Sequence, residues 1–174
     1  SLPDIGAAAT VRIRLETTDL NSNVVSTVNV GEQFLLRGYV TDLRANAQGL
    51  FASYLNVDYA PGSSVTVNGA VTFIAPFTNG TSANTTNAGS VQGLGSFAGF
   101  TPTGAGEKPQ FNVRFRASAP GTVTFTGSPV AGAAYYVLLF GVNDPVPTNE
   151  LQFINTTVVV NGTAVPRLRI SRIE

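Results

Sequence analysis

This chain of 174 residues contains no cysteine, no histidine, no methionine and no tryptophan. Without cysteine there is no disulfide, no thiolate metal site and no thiol nucleophile. Without histidine the usual general base of a hydrolytic triad is missing. The single lysine, Lys108, stands in a Gly- and Pro-rich stretch and is a poor substitute. Charge is scarce as well: Asp, Glu, Lys and Arg make up 11% of the chain, against a usual share of about 25%. Ten basic and ten acidic side chains cancel, so the chain lacks the electrostatic footprint of a nucleic-acid or anionic-membrane binder. The longest apolar run, Ala133 to Gly141, falls far short of the roughly 18 residues of a membrane span. Neither nucleic acid nor membrane insertion is expected.

Hydrophobic residues are plentiful at 43%, enough to fill the core of one domain of ordinary size. Thr, Asn, Ser, Gly and Ala take the place of the missing charge. Among the basic residues nine of ten are Arg, which favours planar, bidentate contacts.

Helical periodicity is nearly absent, and period-2 alternation dominates. Val11, Ile13 and Leu15 share one face of a strand whose other face carries Arg12, Arg14 and Glu16. A weaker strand is expected over Val24–Val30 and another over Gln33–Thr41. Leu50–Tyr59 reads as a long strand with Phe51, Leu55, Val57 and Tyr59 on one side. Shorter ones follow at Val65–Val67 and Val71–Ala75. Phe77–Gly106 reads as a long loop broken by one strand near Val91–Phe97. Phe111, Val113 and Phe115 then alternate with Asn112, Arg114 and Arg116, and the Pro120-Gly121 turn leads into Thr122–Thr126. Tyr135–Phe140 reads as a central apolar strand, and Leu151–Val160 as a last one. About nine or ten strands with frequent turns predict an all-β fold, a single β-sandwich with jelly-roll topology.

Chemistry is hard to assemble from these residues. Glu32, Asp42, Asp58, Glu107, Asp144 and Glu150 are scattered beside turns rather than paired as a glycosidase requires. They are expected to cap turns or pair with Arg, so no catalytic residue is assigned. Oxygen ligands make calcium the one plausible metal. Asp19-Leu20-Asn21-Ser22-Asn23 has the D-x-N-x-N spacing that opens a calcium loop, but the glycine and closing Glu are missing, and an Asx turn explains the run equally well. No cofactor is expected. Asn-x-Thr triplets at Asn79, Asn84, Asn155 and Asn161 are glycan acceptors only in a eukaryotic secreted protein.

Three stretches carry a family resemblance. Val30-Gly31-Glu32-Gln33-Phe34 is similar to the V-x-x-G-(D/E)-x-F opening of cohesin-like domains. Leu50-Phe51-Ala52-Ser53-Tyr54-Leu55-Asn56-Val57-Asp58-Tyr59 resembles their long aromatic strand. Phe111–Ala117 with Pro120-Gly121-Thr122-Val123-Thr124-Phe125 resembles their later hairpin. Order and spacing match across Val11 to Val160. The chain departs from the pattern at Ala60, where the family usually has Asp. The resemblance implies a jelly-roll domain of a bacterial extracellular or cell-surface protein, acting through a protein partner. It also sets the expected organisation: residues 1–160 as the cohesin-like sandwich and 161–174 as an extra strand or linker.

That last segment alternates again. Leu168 and Ile170 share one face and Arg167 and Arg169 the other, echoing Val11, Ile13 and Leu15. A solitary strand of this kind invites pairing. Arg167, Leu168, Arg169 and Ile170, together with Val11, Ile13 and Leu15, are therefore the candidate interaction residues. The first expectation is a non-catalytic structural or adhesive module that assembles with copies of itself by strand addition, building a surface filament. The alternatives are a cohesin-type receptor for a dockerin-like module and a carbohydrate-binding module using an exposed Tyr such as Tyr54.

Overall fold

A computed structural model describes residues 7–162. Thirteen strands follow in order: β1 Val11–Thr18, β2 Thr27–Asn29, β3 Gln33–Asp42, β4 Leu50–Ala60, β5 Val65–Val67, β6 Thr72–Phe73, β7 Asn79–Asn84, β8 Ser90–Phe97, β9 Lys108–Ala117, β10 Gly121–Ser128, β11 Leu138–Leu139, β12 Leu151–Ile154 and β13 Thr156–Asn161. One 3-10 turn, Thr148–Glu150, precedes β12. Sheet I has the order β12-β1-β3-β9-β5, with β6 also on β9. Sheet II has the order β2-β13-β10-β4-β8-β7, with β11 on β4. The two pack face to face as the expected jelly-roll sandwich, with more and shorter strands than the nine or ten expected.

The alternation explains the register. In β1, β3 and β9 every second side chain is apolar, and the pairing lines these positions up: Ile13 opposite Val40, Leu36 opposite Val113, Phe34 opposite Phe115. A slip of one residue would turn each apolar set outward. From sheet II, Val123, Phe125, Val158, Leu55, Val57 and Tyr59 meet them in one continuous core. At its centre Phe34, Tyr59 and Phe125 surround Phe115, with ring centroids 5.6, 5.1 and 5.2 Å from it. Gly38 lies opposite Phe111, and a Cβ there would fall on the Phe111 ring.

Several expectations need correction. Leu151–Val160 is not one strand. It breaks at Asn155, so that β12 runs parallel to β1 in sheet I and β13 runs antiparallel to β10 in sheet II. The expected strand over Val24–Val30 shrinks to β2, which pairs in parallel with β13. Tyr135–Phe140 is no central strand: only Leu138–Leu139 pair, on β4 and across a bulge. At that bulge the phase of β4 shifts. Leu50 enters the core, while Phe51 leaves it and stacks on Phe97 at 5.5 Å. Phe77–Gly106 is not a loop with one strand either. It contains the β7–β8 hairpin, and β8 is an interior strand between β4 and β7.

Candidate functional site

The two outer faces of the sandwich differ sharply in chemistry. Sheet I collects guanidinium groups. Residues of β1, β3 and β9 that alternate with the core point outward, placing Arg12, Arg14, Arg37, Arg114 and Arg116 on this face. Arg14 is held from several sides. Its Nε and Nη2 donate to Glu107 at 2.9 and 2.7 Å, and its Nη1 donates to Glu16 at 2.6 Å. Its guanidinium carbon also lies 4.3 Å from the centroid of the Tyr39 ring. The hydrogen bond from Arg14 holds the Glu107 carboxyl below the usual carboxylate range. Arg37 also lies near this ring, its guanidinium carbon 5.5 Å from the Tyr39 centroid, and its Nε donates to Asn112 at 3.1 Å. Arg12 Nε donates to Gln152 at 2.9 Å. Among the described residues, the only carboxylate ion pairs are those of Arg14 and Arg44. Arg12, Arg37, Arg114 and Arg116 therefore face solvent without an acidic partner from within residues 7–162. A shallow groove of about 240 Å³ runs beside Arg114, between Leu35 and the Asn68–Ala70 turn.

Sheet II presents hydroxyls instead. Thr122, Thr124 and Thr126 of β10 are exposed, and across from them stand Val159, Thr157 and Asp58. Asp58 is the only charged residue of strands β2, β4, β7, β8, β10, β11 and β13. Toward β11 the segment between β10 and β12 encloses a cleft of about 430 Å³, lined by Tyr54, Tyr135, Tyr136, Pro129, Pro145 and neighbours. Tyr54 is only 7% exposed: its hydroxyl donates to the Gly80 carbonyl at 2.6 Å, and Tyr135 packs edge-on against it. Tyr54 is thus not the exposed stacking residue a carbohydrate-binding role would ask of it. Tyr135, 38% exposed, is the more open ring.

Most of the carboxylates hold turns and cross-strand contacts, whereas Asp58 and Asp144 make no side-chain hydrogen bond or ion pair within the described residues. Glu32 accepts from the backbone and side chain of Asn29, and Glu150 accepts from the Thr10 hydroxyl. Asp42 is the extreme case, with a side chain 0% exposed. It accepts from Arg44 Nη2 at 2.7 Å, from Arg44 Nε, and from the backbone N–H groups of Arg44, Gln48 and Gly49. Burial alone would raise its pKa. The hydrogen bonds from Arg44 and Gly49 outweigh that, and the carboxyl lies below its usual range. No group of three or more acidic side chains suited to a metal ion occurs among the described residues. In the Asp19–Asn23 run, Asp19 Oδ1 accepts from the backbone N–H groups of Asn21 and Asn23, and Oδ2 accepts from Asn23 Nδ2. A calcium ion there would have to displace these donors.

Of the candidate interaction residues, Val11, Ile13 and Leu15 are core side chains, 0%, 0% and 3% exposed. Their strand has β12 on one side and β3 on the other, so β1 offers no open edge for an added strand. Arg167, Leu168, Arg169 and Ile170 lie outside the described residues. What the sequence did not single out is the clustering of the remaining arginines. The i, i+2 spacing in Arg12-Ile13-Arg14 and Arg114-Phe115-Arg116 signalled it, but only strand pairing shows that both pairs share one face.

Two sheets closed by parallel strands, carrying their polar chemistry on flat outer faces, define a jelly-roll β-sandwich. Within that class the domain is cohesin-like. It superposes on the seventh ScaB type I cohesin from Pseudobacteroides cellulosolvens with a TM-score of 0.63 and 12% identity, covering 92% of this chain and 98% of that one. The cohesin module of a family 33 glycoside hydrolase from Clostridium perfringens gives 0.63 and 13%, covering 90% and 100%. A type I cohesin in the Coh-OlpA-Doc918 cohesin–dockerin complex from Clostridium thermocellum gives 0.61 and 11%, covering 87% and 99%. At these identities the likeness is one of fold. No protein-family model matches the chain, and no curated protein matches it.

Proposed function

We propose that this domain is a non-catalytic, extracellular protein-binding module of cohesin type, a receptor for a dockerin-like partner. The observation that carries the reading is the two-way coverage. Whole cohesin modules fit nearly the whole described sandwich, and two of them come from type I cohesin–dockerin complexes of Clostridium thermocellum. The engagement of Glu32, Asp42 and Glu107 in turns and ion pairs supports a non-catalytic role. Titration of the full chain with a panel of purified dockerin modules, with and without calcium, tests it. Saturable binding to at least one member is expected; a panel that gives no binding under either condition sinks the receptor reading.

A second reading is self-assembly by strand addition through Arg167–Ile170. It is favoured by the outermost position of β2 and β12 among the described strands, with Val24 ahead of β2 and Ile154 at the end of β12 70% and 37% exposed. Sizing chromatography of the full chain and of a chain ending at Gly162 separates the readings. Assembly predicts oligomers that the truncation abolishes, whereas monomers in both samples rule it out.

A further inference from the structure

A formal net charge of zero conceals a polar distribution. Among the described residues, the outer face of sheet I carries Arg12, Arg14, Arg37, Arg114 and Arg116 against Glu16 and Glu107, and the strands of sheet II carry Asp58 alone. An array of arginines in a chain with so few charges is not the ordinary solvated surface of a domain. Two of these groups, Arg37 and Arg12, are also pre-positioned without carboxylates. The ring of Tyr39 lies beside Arg37, and the amide oxygens of Asn112 and Gln152 fix Arg37 and Arg12. Ordering the side chains before contact lowers the entropy lost on binding.

The face also shows how it receives a carboxylate. Glu107 reaches Arg14 from the chain just before β9 and is gripped by two parallel N–H···O bonds. Arg114 and Arg116, exposed and two residues apart on one strand, are spaced by about 6.8 Å. That is the repeat of alternate side chains along an extended peptide. Beside them, the groove at Leu35 and Asn68–Ala70 gives such a chain a place to lie.

We propose that the outer face of sheet I docks an extended acidic segment of a partner polypeptide, with carboxylates at every second residue paired to Arg114, Arg116 and Arg37. This rests on the protein-binding reading above and names the chemistry of a partner and the face it uses. It does not depend on that partner being dockerin-like.

The test uses the full chain and poly-L-glutamate as probe, with polygalacturonate as a second polyanion. Poly-L-glutamate should bind at low ionic strength and weaken as salt is added. Arg114→Ser and Arg116→Ser should each weaken it about tenfold, the size expected for one charge-assisted contact. Both side chains are exposed, so the melting temperature should be unchanged, showing that the variants fold. Thr122→Ser with Thr124→Ser, on the opposite face, should leave the affinity as it is. The proposal is overturned by absence of binding at low salt, by arginine variants that bind as the parent does, or by tighter binding of polygalacturonate, which would make the face a polysaccharide site. Failure here leaves dockerin binding at another face intact, and failure of the dockerin panel leaves this result standing.

Discussion

Asp42 shows how one side chain can shape a connection. Its buried carboxylate gathers the N–H groups of Arg44, Gln48 and Gly49 and so folds the chain between β3 and β4 around itself. Asp42→Asn keeps the size but turns a donor toward these N–H groups and leaves Arg44 without its counter-charge. A loss of about 2–3 kcal/mol in urea unfolding is expected. Ser53 makes the opposite case. It is 0% exposed, and its hydroxyl has no hydrogen-bond partner. Ser53→Ala removes a desolvated polar group, so its stability should fall within about 0.5 kcal/mol of the parent or above it. Gln110, beside it, donates to the Ser53 carbonyl at 2.9 Å and to the Ser96 hydroxyl at 3.1 Å, tying β9 of one sheet to β4 and β8 of the other. Neither Asp42 nor Gln110 was distinguishable by sequence pattern. A polar residue in a strand reads as solvent-facing until its phase against the facing sheet is known.

Among the strands, legibility follows burial. β1, β3 and β9 each have one core face and one wet face, so their alternation is clean. β7 is an outermost strand exposed over much of its length, and with no buried face its Asn-Gly-Thr-Ser-Ala-Asn carries no periodic signal. Tyr135–Phe140 fails for the reverse reason. An apolar run reads as a central strand, yet here Val137 and Leu139 plug the core from a segment bounded by Gly132 and Gly141, both at positive φ. The bulge that ejects Phe51 was equally invisible, since period 2 holds on either side of it. Close packing of β4 on β8 depends on Gly95: a Cβ there would fall on the Ser53 carbonyl oxygen and lie 2.7 Å from Tyr54 Cα. Backbone atoms cannot swing aside as a side chain can. Gly95→Ala should therefore force β4 and β8 apart, lowering stability by about 3 kcal/mol or more in thermal unfolding.

At the scale of the molecule, acidity is the expected weakness. Carboxyls held low in the folded state by hydrogen bonds, Asp42 and Glu107 foremost, contribute stability that is complete above their unfolded pKa near 4. That contribution is lost as the pH falls through their lower folded values. No histidine is present to titrate between about pH 5 and 8. The melting temperature should thus stay level across that interval and drop below about pH 4. A transition near pH 6 would contradict the assignment.

The break at Asn155 has a mechanical meaning. The segment beyond it continues in sheet II, while β12 lies parallel to β1 in sheet I. Tension applied ahead of β1 and beyond β13 draws these two parallel strands past each other along their length. The rungs between Val11–Arg14 and Leu151–Ile154, with those that hold β13 to β10 and β2, then share the load, rather than opening one after another like a zip. A domain built this way resists being pulled apart end to end more than its modest number of edge contacts suggests.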